Sequence, residues 1–431
     1  MNRIILASTI ALILSQSLFS KEEVVQTEQS RFESLSKLTK VIGTVEKYYV
    51  DDIKLQEIVD KALKGLMQEL DAHSSYLDKK ASKEMSIQTK GEFGGLGITV
   101  GMRDGALTVI SPIDDTPAFK AGIKSGDIIL KINDTSTIGM TLDEAVNIMR
   151  GEPKTDIVVT VVRKGELKPL EIKMKRDIIK IQSVFAKKIE KEDVMYLRVS
   201  SFDTKVTEDL EKIIAENKNV KGFILDLRNN PGGLLNQAIG VVDLFVDKGV
   251  IVSQKGRSAE DEEKFEASSF NTKTKLPLVV IVNEGSASAS EIVSGSLQDH
   301  KRAVVVGEKT FGKGSVQAVL PIDNERSENI KLTIAKYYLP SGRTIQATGV
   351  TPDIIVAAGK VTQSDDNALK IKEADLKKHL EGELEKVDDV KKEEKIINDE
   401  TKKTITGEDL LEDNQLNTSL AILKSLIIMN K

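Results

Sequence analysis

The sequence has no cysteine, no tryptophan and only three histidines, His73, His300 and His379, among 431 residues. Without cysteine there is no disulfide, no thiol nucleophile and no thiolate metal site. None of the histidines stands at a metal-site spacing from another, so no zinc chemistry and no cofactor are expected. A formal net charge of -5 gives no electrostatic case for nucleic acid. Long apolar runs are also missing. The longest, Ile4 to Leu14, falls short of the roughly 20 residues that a membrane span needs. It follows the basic start Met1-Asn2-Arg3 and precedes Phe19-Ser20-Lys21, which together read as a secretory signal cut after Ser20. The mature chain is therefore expected outside the cytoplasm, in a periplasm or another extracytoplasmic space. An uncleaved signal would act as an anchor instead.

What is present fits a folded, multidomain α/β chain. Hydrophobic residues at 40% and charged residues at 30% can fill cores and leave a wet surface, and the length suggests two or three domains. After the signal at 1–20, residues 21–90 read as an N-terminal helical region. Leu35, Leu38, Val41, Ile42, Val45 and Tyr48 form one apolar stripe, and Ile58, Ala62, Leu63, Leu66 and Leu70 another. Such stripes serve a core or a dimer surface. Asp71 beside His73 reads as a local turn or cap. Residues 178–360 mix apolar strands with helical segments as an α/β core. In the segment 361–431, acid and base alternate to about residue 413. Leu416, Leu420, Leu423 and Ile427 then form a final amphipathic helix, expected to dock on the body or on a partner subunit.

Residues 91–177 change to short strands and glycine turns. Leu107–Ile110, Asp127–Ile132 and Ile157–Val162 read as strands, and Thr141 with Glu144 three residues on is a capping box that opens a helix. With the loop Pro117–Asp127, the stretch resembles a PDZ domain. The resemblance implies that main-chain N–H groups of Gly95, Leu96, Gly97 and Ile98 take a peptide's terminal carboxylate. The strand Ile98–Val100 would then add the peptide as an extra strand, beside a helix that presents Val146 and Met149. Proteins or peptides with apolar C-termini are the expected partners.

Two stretches carry chemistry. Leu278-Val279-Val280-Ile281-Val282 reads as a buried strand and runs into Asn283-Glu284-Gly285-Ser286-Ala287-Ser288-Ala289-Ser290-Glu291, the start of a helix. A small-residue turn there can hold a hydroxyl at a helix N-terminus, where unpaired N–H groups favour developing negative charge. Downstream, Gly307-Glu308-Lys309-Thr310-Phe311-Gly312-Lys313-Gly314-Ser315-Val316-Gln317 sets Lys313 between two glycines, in a tight loop. It is not a P-loop, since no Ser or Thr follows the lysine. A third turn, Asn229-Asn230-Pro231-Gly232-Gly233, offers main-chain N–H groups for an anion.

Signal, helical segment, PDZ-like domain and a core with these three stretches together resemble the carboxyl-terminal processing proteases, the tail-specific serine peptidases. The resemblance covers about residues 30–356 and implies a β-β-α spiral core and a Ser–Lys dyad that cleaves through an acyl-enzyme. Ser288 matches the nucleophile, Lys313 the base, and Gln317, taken as one helical turn beyond, the residue that orients the lysine. A neutral lysine is a known alternative to histidine as the base. From about 10.4 in water its pKa must fall several units, which burial can do. Gly232 or Gly233, with Ala289, would donate N–H groups to the oxyanion. The family further implies a homodimer, and the sequence leaves room for a regulatory partner. Two other readings stay open: a Ser–His hydrolase that uses His300, and a non-catalytic PDZ-containing scaffold of the envelope.

Overall fold

The apolar runs around Phe223 and Val280 become neighbouring parallel strands at the centre of a seven-stranded sheet. The structure is a computed structural model that describes residues 30–361 and 404–430, Asp104 excepted. The expected signal and most of the charged stretch lie outside the described residues. No helix among the described residues is long and apolar enough to cross a membrane. They form two units, 30–82 with 317–333, and 83–316 with 334–361 and 404–430.

The second unit holds the sheet. Its strands are β1 (Val184–Ile189), β2 (Val194–Val199), β3 (Gly222–Asp226), β4 (Leu278–Val282), β5 (Val304–Gly307), β6 (Ile354–Ile355) and β7 (Thr404–Ile405), in the spatial order β6-β5-β4-β3-β2-β1-β7. All neighbours are parallel except β1 and β2. Side chains alternate across a strand, so Phe223 and Leu225 enter one core and Ile224 another, as do Val280 and Ile281 on β4. Burial on both faces is why these strands are unbroken apolar runs.

Helices α1 (Val206–Glu216), α2 (Leu235–Asp243) and α3 (Ala289–Asp299) bury Leu210, Val241 and Ile292 in the first core. The last helix, α4 (Asn414–Met429), covers the other face with Leu416, Leu420 and Leu423. The final amphipathic helix thus docks on its own sheet, and the leucines that a partner subunit would need are covered. The loops after β3, β4 and β5 rise side by side from the carboxyl ends of adjacent strands, where open α/β sheets place their ligands.

The same unit contains a six-stranded antiparallel sheet over Ile98–Lys175, with a single-turn helix, Pro117–Lys120, and a longer one, Leu142–Met149, opened by the expected Thr141–Glu144 capping box. The chain enters and leaves this domain through a two-stranded ribbon, Glu92–Gly95 against Asp177–Lys180.

The first unit contains helices over 30–48 and Leu55–Gln68 and a short strand, Ser75–Leu77, antiparallel to Asn329–Lys331. Asp71 caps the turn between them by accepting the N–H groups of His73 (2.7 Å) and Ser74 (2.9 Å) and the Ser74 hydroxyl (2.6 Å). The Ser74 hydroxyl bond leads in holding the Asp71 carboxyl down at about 2.

Candidate active site

The chain turns from β4 into α3 through a net of side-chain bonds. Asn283 N–H donates to Ser286 Oγ (3.0 Å), which donates to Leu227 O (2.8 Å) just past β3. Ser290 donates its hydroxyl to Asn230 O (2.9 Å). Two of the three alternating serines are therefore anchors. The remaining one, Ser288, immediately precedes α3 with φ 55° and ψ -111°, a backbone that costs a non-glycine residue about 1–3 kcal/mol. Surrounding bonds offset that strain. Ser288 N–H donates to Glu291 Oε2 (2.8 Å), and Ser288 O accepts from the N–H groups of Glu291 and Ile292 (both 2.9 Å). A strained strand-to-helix turn presents a side-chain hydroxyl at the positive end of a helix.

Glu291 joins this turn to the lysine loop. Its carboxylate is fully buried, which is costly unless its oxygens are satisfied. Four donors satisfy them. Oε2 takes Ser288 N–H and Lys313 N–H (2.9 Å), and Oε1 takes Gly312 N–H (2.7 Å) and the Thr310 hydroxyl (2.6 Å). Because one oxygen receives both, the main-chain nitrogens of Ser288 and Lys313 lie within about 6 Å of each other. The flanking glycines are needed for this placement. Gly312 has φ +96°, and a Cβ on Gly314 would lie 2.5 Å from Gln346 N. Lys313 itself is half-buried. The catalytic-site readings of the sequence did not include Glu291. An acid three residues past a small polar helix-cap residue is the signal that could have found it.

The third loop is bound to the same turn. Asn229 N–H donates to Asn283 Oδ1, and Asn283 Nδ2 donates back to Asn229 Oδ1, both at 2.8 Å. Asn230 O accepts Ala287 N–H (3.0 Å), while its side chain donates to Val199 O (2.8 Å) and accepts Gly232 N–H (2.9 Å). The Gly232 N–H is thus engaged by Asn230. What Gly232 contributes is space, because a Cβ there would lie 2.9 Å from Ser288 Cβ and 3.0 Å from Ala289 N.

Gln317 lies in the strand Ser315–Pro321, not one helical turn past Lys313 as expected from the sequence. It belongs to the first unit, where its Nε2 donates to Thr333 Oγ1 (3.3 Å), and Thr333 donates to Asp71 Oδ1 (3.1 Å). His300 caps the C-terminus of α3, about 18 Å of helix from Ser288, and its Nε2 is bonded to Val250 O (2.8 Å). Asp299 is held by Arg343 and Ser341 N–H. A Ser288–His300 pair is therefore not formed.

In the 91–177 domain, Leu96 O accepts Ala118 N–H (3.0 Å) and Gly97 O accepts Ile113 N–H (2.9 Å). A trans peptide sets each C=O opposite the next N–H, so the N–H groups of Gly97 and Ile98 point away from those anchors. Leu96 and Met149 are core residues at 2% and 5% exposure, whereas Ile98 and Val146 are half-buried. Met149 therefore offers a groove less than its place on the helix suggested.

Comparison with known proteins gives consistent results. Residues 193–356 match peptidase family S41 and residues 94–174 match the PDZ domain. The chain is 43% identical to the carboxy-terminal-processing protease of Bartonella bacilliformis, over 86% of this chain and 87% of that one. It is 35% identical to the carboxy-terminal processing protease CtpA of Bacillus subtilis, over 81% and 74% of the two chains. CtpB of the same organism is 34% identical over 77% and 69%.

Proposed function

Because the chain belongs to the carboxy-terminal processing proteases, PDZ-containing serine peptidases, we propose that Ser288 and Lys313 are the dyad of an exported endopeptidase that takes protein substrates by their C-terminal tails. The observation that carries this reading is the buried Glu291 carboxylate, which accepts the main-chain N–H of both residues.

In this mechanism the neutral Lys313 amine takes the proton of Ser288 Oγ as that oxygen bonds to the scissile carbonyl carbon. The carbonyl oxygen becomes an oxyanion beside the N–H groups of Ala289 and Gly233, donors worth about 3–4 kcal/mol each in comparable sites. Collapse of the adduct breaks the C–N bond. Lys313 returns its proton to the leaving amine, and the substrate stays esterified on Ser288. Water then gives a proton to Lys313 as its oxygen bonds to the ester carbonyl carbon, and collapse breaks the bond to Ser288 Oγ, which takes that proton back from Lys313. The Gly95–Ile98 loop captures the carboxylate of an apolar tail. Export rests on the reading of residues 1–20.

Assembly as a homodimer is part of the same proposal. It rests on the helix over 30–48, whose Phe32, Leu35, Leu38 and Val41 are each more than half exposed. Sedimentation of the full chain at micromolar concentration is expected to return the dimer mass, and an active monomer would refute it. The decisive experiment follows the turnover of an unfolded test protein. Ser288→Ala and Lys313→Ala should each abolish it, while His300→Ala should retain most of it. A Ser288→Ala protein that still degrades the substrate would refute the dyad, and a wild type that only binds tails would be a scaffold.

A further inference from the structure

Arg228, one residue before the Asn229–Gly233 loop, is held by two carboxylates, one two residues before it and one 185 residues after it. Its Nε and Nη2 donate to Asp226 Oδ2 (3.0 and 2.6 Å) at the end of β3. The outer edge of the same guanidinium meets Asp413 in a two-pronged pair, Nη1 to Oδ1 (2.9 Å) and Nη2 to Oδ2 (2.7 Å), and Nη1 also donates to Gln415 Oε1 (3.1 Å). Asp226 is fully buried, and its Oδ2 also accepts the Tyr196 hydroxyl (2.7 Å). Burial alone would weaken the charge on Arg228, but the bonds from both carboxylates outweigh it and push the guanidinium above its ordinary value.

Asp413 is at the same time the N-cap of α4, accepting Leu416 N–H (3.0 Å). Helix α4 is anchored independently, because Leu416, Leu420 and Leu423 are buried against β3 and β4, and Gln415 Nε2 donates to Val356 O (2.9 Å). Asp413 therefore reaches the loop from a fixed position. A planar, two-pronged Arg–carboxylate pair sets direction as well as distance. From Arg228 the chain passes directly to Asn229 and Asn230, whose bonds to Asn283 and Ala287 fix the turn that carries Ser288.

We infer that Asp413 is a positioning residue for the catalytic loop, acting through Arg228 to set where residues 229–233 stand relative to Ser288. The C-terminal helix is then part of the active-site scaffold. The inference rests on the reading of Ser288 and the 229–233 loop as the catalytic machinery.

The test uses the full chain with Asp413→Ser, which keeps a good N-cap for α4 but is too short to pair with Arg228, and with Asp413→Asn, which keeps the shape and loses the charge. Cleavage of a tail peptide should show kcat reduced by about ten- to a hundredfold in Asp413→Ser, with KM within about twofold. Asp413→Asn should lose less, and Asp413→Glu should recover part of the rate. Labelling of the serine by a fluorophosphonate should slow in parallel, while the thermal midpoint stays above the assay temperature. If Asp413→Ser lowers the midpoint but the folded protein keeps wild-type kcat, Asp413 is only a helix cap and the inference fails. If Asp413→Ser does not fold, Asp413→Asn decides in the same way. Turnover that survives Ser288→Ala would instead overturn the dyad itself, a distinct result.

Discussion

The loops at Gly95–Ile98 and Asn229–Gly233 are both glycine turns, and they are held in opposite ways. In the first, the carbonyls of Leu96 and Gly97 are tied to one short segment, Ile113 to Ala118, by two N–H groups and the Thr116 hydroxyl (3.1 Å to Gly97 O), while Gly95 pairs with Asp177 and Ile98 with Pro112. The second is tied from several elements at once. Val199 on β2, Asn283 past β4 and Ala287 in the serine turn all bond to it, and Phe202 N–H donates to Gly232 O (3.0 Å). A loop whose middle is tied to one short segment can shift there with that segment. A loop anchored on every side keeps its donors in place while charge develops, which is what catalysis requires. On the proposed function, one chain separates a more loosely held capture loop from a firmly held chemical one.

The contrast breaks most visibly at Gly232. Gly232→Ala would set a Cβ 2.8 Å from Ala287 O, with φ at +101°, and the surrounding loop cannot yield. We expect kcat to fall by at least about a hundredfold in steady-state cleavage, and a near-normal kcat would show the catalytic loop to be as pliable as the other. Next is Glu291→Gln, which turns an amide N–H₂ toward donors. Stability to denaturant should drop by about 1–3 kcal/mol and activity should fall with it. Unchanged values would mean that the turn and the lysine loop are held apart from Glu291. The smallest effect is expected at Gly97→Ala. The atoms nearest the new Cβ belong to the Thr116 side chain, at 2.3–2.5 Å, with φ at +74°, and Thr116 can move with its segment. Affinity for a free apolar tail should fall by about tenfold, roughly 1.4 kcal/mol, with cleavage of an untailed short peptide changed less. Amidated tails should bind wild type as weakly as free tails bind the variant, and equal wild-type affinity for free and amidated tails would remove carboxylate capture from the account.

The parts of the molecule that were legible in the sequence are those whose burial is local and periodic. Leu278–Val282 is apolar throughout because both of its faces are covered, and its bounds match β4. The Thr141–Glu144 cap is a contact between near neighbours. Long-range bonds were not legible. Nothing in the run Ser286, Ser288, Ser290 tells which hydroxyls will find Leu227 O and Asn230 O, since both acceptors lie about 60 residues upstream. The helical spacing assigned to Gln317 failed because Ser315–Pro321 pairs as a strand with a partner later in the chain. Met149 lies on an amphipathic helix in either reading, and only packing shows it to be core.

The clasp on Arg228 also has an order in time. Asp413 leaves the ribosome 185 residues after Arg228, once Ser288, Lys313 and every loop around them have been made, and folding during synthesis proceeds from the N-terminal side. Until β7 and α4 emerge, Ile224, Val279 and Ile281 lack their cover. A nascent chain therefore carries both residues of the proposed dyad before it carries the aspartate inferred to set the geometry of their loop. A message cut short before residue 404 would yield a product with Ser288 and Lys313 in place and an open apolar sheet face, the kind of species that quality control removes.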